Sequence, residues 1–354
     1  MKQGFRWPGL IALLCCCTGI VCTTDFDVLA PEEDIWVVYG ILDQRDSLQY
    51  IRVSKAFQAE GDALAYASQA QLTVPGLRLR LDGPDGSLFA KEVDTVLRDS
   101  GLFPRQQTLY CLETRGSFRL RPGALYHLHI SSDSLPGFFL EAKTRIPAPP
   151  RILRPSAGIR NDTIACLTRW AIEDSLRIIF QSREPGAAPS GAFAYQYTAQ
   201  LFYRENELKK KAVFGPGKPL LASRGCGSGS GNILCVDIPA GQILDVLGNF
   251  FPDNGSRYSY DGLEACAADE SLLPSPMELN ITSIDSMLGQ YLLANDPRYT
   301  NFNTVRREFS NISGSEKALG VMGSAATATR VLTISACAER RLGLDGRRPD
   351  PDGC

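Results

Sequence analysis

Histidine is almost missing from this chain: two in 354 residues, His127 and His129. They stand two apart in a run of alternating apolar residues, so both fall on one face of one strand. Such a pair offers two metal ligands with no evident third, and solvent-facing strand histidines are the plainer reading. With both histidines spent there, no Ser-His-Asp set is available, and no Gly-x-Ser-x-Gly elbow occurs. No Gly-Lys-Ser/Thr follows a strand, so no phosphate loop is expected. Blocks of basic residues are also lacking, and a net charge of −2 argues against nucleic acid as a partner. Beyond residue 22 no stretch approaches the ~18 consecutive apolar residues of a membrane-crossing helix. No catalytic residue, no metal site and no cofactor is expected. The enzymatic alternative is an envelope hydrolase whose carboxylates meet only in the fold, between two domains.

Cysteine is present but without a metal or redox spacing. Cys111, Cys166, Cys226, Cys235, Cys266, Cys337 and Cys354 follow Cys22 at irregular intervals and contain no Cys-x-x-Cys. Cys226 and Cys235 bracket a glycine- and serine-rich stretch and form the best candidate disulfide; Cys111 and Cys166 read equally well as buried free thiols.

The first 22 residues are a different material. Lys2 and Arg6 make a positive region, Leu10 to Val21 is apolar, and Cys22 precedes the polar Thr23-Thr-Asp-Phe-Asp27. This is the layout of a lipoprotein signal over residues 1–21, with Cys22 as the lipidated first residue and 22–33 as a stalk. Val21 stands where a small residue is preferred, Leu14-Cys-Cys-Cys17 is a competing cleavage box, and an ordinary secretory signal with an incidental cysteine is the alternative. The expected location is the outer membrane, held by a lipid anchor.

The rest reads as mainly β. With 44% hydrophobic residues, 32 Gly and 22 Pro, it suits many short strands joined by turns around a sizeable core. Asp34 to Leu42 is almost continuously apolar, as a strand covered on both faces would be, and Leu48 to Phe57 alternates with Gln49, Ile51, Val53, Lys55 and Phe57 facing the core. A polar loop joins them as a hairpin. Further strands are expected at 77–82, 87–93, 108–113 and 138–146, with Gln58 to Ala70 as a loop or short helix. Phe118 to Ile130 holds a Pro-Gly turn followed by Tyr126, placed to hydrogen-bond back across the corner as in immunoglobulin-like sandwiches. The expected organisation is therefore an immunoglobulin-like sandwich over 34–147, a Pro-rich linker over 148–155, and a second β-rich domain over 156–337 with a few short helices. Residues 338–354 read as a disordered tail.

In that second domain, strands are expected over 163–172, 175–181, 193–203, 277–283, 319–322 and 330–335, with Arg204 to Lys211 as a polar loop. Gly215 to Gly231 reads as a mobile loop. Ile243, Leu244, Leu247 and Phe250 mark a helical stripe, and Asp285 is placed to N-cap a helix running to Asn295. That loop and the aromatic residues Phe251, Tyr258 and Tyr260 are the candidate contacts for an oligosaccharide or a partner.

The opening stretch resembles the outer-membrane lipoproteins of Bacteroidetes that carry domain of unknown function 4249. The resemblance lies in Cys22 to Pro31, Val37 to Asp43, Asp46 to Val53, Lys55-Ala-Phe57 and the Ala-rich Gly61 to Ala67, with weaker echoes at Phe202 to Glu205 and Glu316 to Ser324. It implies a tethered envelope protein with an immunoglobulin-like first domain and no assigned activity; a place beside a TonB-dependent outer-membrane receptor, or binding to a glycan, is the expectation for its partner. Asp-Ser/Thr followed by an aliphatic residue or Met is similar to the O-glycosylation consensus of that lineage. It occurs at Ser47, Thr95, Ser134, Thr163, Ser175 and Ser286, where Asp-Ser as ordinary turn chemistry is an equal reading.

Overall fold

The opening hairpin forms as its alternation requires. In the computed structural model β1 (Trp36–Asp43) and β2 (Leu48–Lys55) pair antiparallel, Trp36 opposite Lys55 and Gly40 opposite Ile51. Gln49, Ile51 and Val53 are buried, so the expected inner face of β2 is the observed one; Phe57 lies outside the described residues. Those residues are 35–56, 73–94, 107–154, 169–170, 175–182, 194–215, 220–221, 233–239, 246, 248–251, 256–260, 277–295 and 310–334.

The first half continues with β3 (Leu77–Gly83), β4 (Gly86–Phe89), β5 (Lys91–Val93), β6 (Leu109–Glu113), β7 (Leu125–Ser132) and β8 (Phe139–Arg145). The second contributes β9 (Arg151–Arg154), β10 (Arg169–Trp170), β11 (Ser175–Gln181), β12 (Ala194–Glu205), β13 (Leu208–Phe214), β14 (Leu220–Leu221) and β15 (Ile233–Pro239). Then come β16 (Tyr258–Tyr260), β17 (Met277–Ile284), one helix, α1 (Ser286–Ala294), β18 (Ile312–Gly314) and β19 (Ala318–Ile334). The fold is mainly β.

The strands make one long sheet, ordered β13-β12-β17-β19-β1-β2-β6-β5 with β10, β14 and β16 at its margins, and two smaller sheets, β18-β8-β7-β3-β4 and β15-β11-β9. Each smaller sheet closes a core against the long one. The first core joins Val38, Ile51 and Leu112 of the long sheet to Leu79, Leu128 and Leu140 of the five-stranded sheet. The second joins Leu201, Leu279 and Ile281 to Ile152, Phe180 and Ile238 of the three-stranded sheet. Met322 and Ala326 of β19 belong to the first core and Ala328 packs on the second. These positions share parity along a strand, so both cores lie on the same face of the long sheet.

That arrangement corrects the expected domain division. The boundary at 147–148 divides neither the first core, which also takes Ile312, Met322 and Ala326, nor the long sheet, because β19 runs parallel to β1 over Ala318 to Ala325 and antiparallel to β17 over Ala325 to Leu332. β18 also extends the sheet of β8. Asp34–Cys354 accordingly make one compact unit. Two separate strands were expected where β19 runs unbroken for 17 residues. Gly323 to Ala326 reads as a gap because Gly, Ser and Ala are weak strand formers. They are small because neighbours come close. A side chain on Gly320 (φ 128°) would run into the Val38 carbonyl, and one on Gly323 would lie 2.6 Å from Leu288 Cβ on α1.

The turn chemistry sets the remaining geometry. The Tyr126 hydroxyl donates to the Arg119 carbonyl (2.9 Å) and accepts from Arg121 N–H (2.8 Å), the expected corner. Asp285 caps α1, accepting from Leu288 N–H at 2.8 Å, and Asn295 closes it. The expected loop from Arg204 to Lys211 is instead the end of a hairpin. β12 runs to Glu205, Asn206 and Glu207 turn with φ 47° and 70°, and β13 returns. Positive φ at both central residues is a two-residue type I′ turn, obscured in the sequence by a Glu where Gly is usual.

Candidate functional site

Two of the aromatic residues singled out as contacts, Phe251 and Tyr258, are core. Phe251 and Tyr258 are buried, with ring centroids 5.3 Å apart and 4.7 and 6.4 Å from that of Tyr203, an edge-on and tilted cluster that closes one end of the second core. Tyr260 pairs with Tyr203 in the sheet. An aromatic run after a Pro- and Gly-rich stretch looks exposed until β16 is known to dock on β12. Phe250, placed on the expected helical stripe, is exposed, while Ile243, Leu244 and Leu247 lie outside the described residues.

Cys235 is disulfide-bonded, and Cys111 is a free, half-buried thiol on β6. Cys226 and most of Gly215 to Gly231 lie outside the described residues, as do Cys22, Cys166, Thr95 and Thr163. Ser47 and Ser134 sit in the β1–β2 and β7–β8 loops, half-buried and exposed. Ser175 opens β11 opposite Pro239, and Ser286 is the first residue of α1.

The two histidines face outward on β7, their rings 6.4 Å apart and nearly parallel. His129 Nε2 lies 3.2 Å from Asp82, which also meets Arg80 at 3.0 Å and accepts from Ser87 at 2.6 Å. The Ser87 bond, helped by the nearby cations, holds the Asp82 carboxyl below the usual carboxylate range. This is a solvated ion-pair row. Among the described residues no group of three or more His, Cys, Asp or Glu is gathered to hold a metal ion.

Between the two cores lies a buried polar seam. Asp285, 7% exposed, accepts from Thr144 Oγ1 at 2.5 Å and Ser324 Oγ at 3.3 Å besides its capping bond. Ser324 also donates to the Arg145 carbonyl (2.8 Å), and Ser283 to the carbonyl of Ala148 in the linker (2.7 Å). Burial pushes the Asp285 carboxyl up, against the opposing pull of these hydrogen bonds. Asp285 is the charged side chain in the buried set of described residues, and its contacts are those of a structural pin that ties β8, β19 and α1 together.

The outward face of the long sheet carries the candidate site. Ile41 (49% exposed), Leu48 (43%) and Tyr50 (40%) point away from the first core near the turn between β1 and β2. Tyr50 stands opposite Cys111 of β6, and Ile41 opposite Gly323. Next to them Tyr39 faces Arg52, whose guanidinium lies 5.2 Å from the Tyr39 ring centroid, and Tyr291 of α1 packs 6.0 Å from the same ring. The result is a shallow apolar surface with a cation and tyrosine hydroxyls at its margin. The continuous apolar run of β1 carries the signal for it, but reads as a strand covered on both faces; in fact Ile41 is left open where α1 ends its cover.

Compared with known proteins, the chain matches no protein-family model and no curated sequence.

Proposed function

We propose that this protein is a lipid-anchored lipoprotein of the outer membrane that binds a partner without catalysing a reaction, as a member of the domain of unknown function 4249 family with an immunoglobulin-like first sandwich. The observation that carries the binding reading is the surface of Ile41, Leu48, Tyr50, Tyr39 and Arg52. Side chains this apolar on the open face of a sheet are unfavourable unless something covers them, and Tyr and Arg are the residues that dominate protein interfaces. A partner receptor in the outer membrane fits this chemistry better than a glycan, whose hydroxyls need more polar partners than the surface supplies. The Cys22 signal supports the location, and the Tyr126 corner supports the immunoglobulin-like reading.

Labelled fatty acid should incorporate into the wild type and not into Cys22→Ala; equal labelling removes the anchor. Affinity capture of the tagged protein from solubilised membranes should recover a receptor. Recovery of none, with turnover of a polysaccharide or peptide by the purified chain, overturns the binding reading.

A further inference from the structure

The end of the molecule at which the chain enters β1 is unusual in its surface. The Trp36 N–H donates to the Lys317 carbonyl (2.9 Å), and the Trp36 ring lies 4.4 Å from that of Phe138 and under the Lys55 ammonium. This places the loop between β7 and β8 beside the start of β1. The loop turns at Leu135-Pro-Gly137, with Phe138 N–H donating to the Leu135 carbonyl and Gly137 at φ 79°. Turns of this kind ordinarily carry polar residues at their tips. Here Leu135 is 42% exposed, Pro136 is exposed, and Phe139, first in β8, is 52% exposed. Phe139 is held outward by reciprocal bonds with Ser315, whose hydroxyl accepts from its N–H and whose N–H donates to its carbonyl. Arg78 lies on the same face, two strands away through Ser131 and paired with Asp133.

We infer that this loop rests on the phospholipid surface holding the anchor, with Leu135 and Phe139 dipping among the lipids and Lys55, Lys317 and Arg78 at headgroup level. The inference rests on the anchored reading. Its argument is the length of chain between the two: Ile35 follows Cys22 by 13 residues, which reach no further than about 45 Å even at full extension. A tether that short keeps the loop at high local concentration against the bilayer, so two partly exposed apolar side chains suffice where they would not recruit a free protein. The opposite end of β19 is far from this surface. Ala318 lies beside Trp36, Leu332 beside Met277, and 14 residues of strand separate them by about 45 Å. The β12–β13 turn, where Leu208 is also exposed, belongs to that distal end.

The test uses the native lipidated protein in vesicles of phosphatidylethanolamine and phosphatidylglycerol. A photo-crosslinking benzoyl-phenylalanine is placed at Leu135, Phe139, Leu208 or Tyr50. Adducts with phospholipid should form several-fold more at 135 and 139 than at 208 and 50. Equal yields at all four positions overturn the inference, as does an O-glycan found on Ser134, which would hold Leu135 off the bilayer. The intact mass of the same sample separates the two failures. A bare Cys22 overturns the anchored reading together with this one, whereas an acylated Cys22 with equal adduct yields overturns this one alone.

Discussion

The two cores share a strand but are built from different material. The first is mostly Leu, Ile and Val between two well-paired sheets, and its two deepest tyrosines are tied to backbone: Tyr126 to Arg119 and Arg121, Tyr110 to Val74 and Leu77. The second is packed largely with rings, among them Phe180, Tyr195, Tyr197, Tyr203, Phe214, Phe251 and Tyr258, under a three-stranded sheet. A hydroxyl bonded across a turn fixes a register; rings that carry none, such as Phe180, Phe214 and Phe251, mainly fill volume. The first core is therefore specified by hydrogen bonds at its corners, and the second depends on β19 and β17 to hold its long strands in place.

The shared strand is where that contrast breaks most easily. Gly320→Ala puts a side chain against the Val38 carbonyl at φ 128°, and should cost about 3 kcal/mol or more. Because β19 serves both cores, urea unfolding followed by tryptophan fluorescence and by circular dichroism should shift as one transition; two separated transitions would show that the cores fold apart. Next in size, Tyr126→Phe removes a hydroxyl with two backbone partners and should cost about 1–3 kcal/mol. Tyr197→Phe, whose hydroxyl is displaced upward in pKa by burial alone, should change the midpoint by less than about 0.5 kcal/mol. Similar losses for the two would erase the distinction between the cores.

The seam gives a pH test. With its folded-state pKa raised above the ordinary 3.8, Asp285 binds its proton more tightly in the folded chain than in the unfolded one. Its contribution is thus fully present below pH 3.8 and is lost as pH rises through the folded-state value, at up to about 1.4 kcal/mol per pH unit. Asp82, whose pKa is lowered, has the opposite sign and loses its contribution as pH falls. The difference between wild type and Asp285→Asn isolates the first effect: the variant's unfolding free energy should lack this decline. A parallel pH profile would mean that the hydrogen bonds outweigh burial. The smallest effect expected is a gain. Glu207→Gly relieves a left-handed Glu at the β12–β13 turn and should stabilise by about 0.5 kcal/mol in the same urea titration.

What was legible in the sequence follows local pattern. The alternation of β2, the corner at Tyr126 and the cap at Asp285 are each written in a few neighbouring residues, and the structure has them. The return of β19 to β1 is a pairing across some 280 residues, and no local pattern encodes it. It also falls on small residues chosen for close approach, which suppresses the strand signal. The candidate surface was misread for a related reason. Apolar side chains at Tyr39 and Ile41 look the same in sequence whether a layer covers them or stops short. Conversely, Phe251 and Tyr258 looked like surface contacts because docking of β16 on β12 is non-local.

The role of the open sheet face is tested most directly by capturing partners from solubilised membranes with the wild type and with Ile41→Asp and Tyr50→Ala, both exposed positions whose change should leave the unfolding midpoint within about 0.5 kcal/mol. The wild type should recover a receptor that both variants lose. An unchanged set of partners with folded variants would contradict the assignment of binding to this surface.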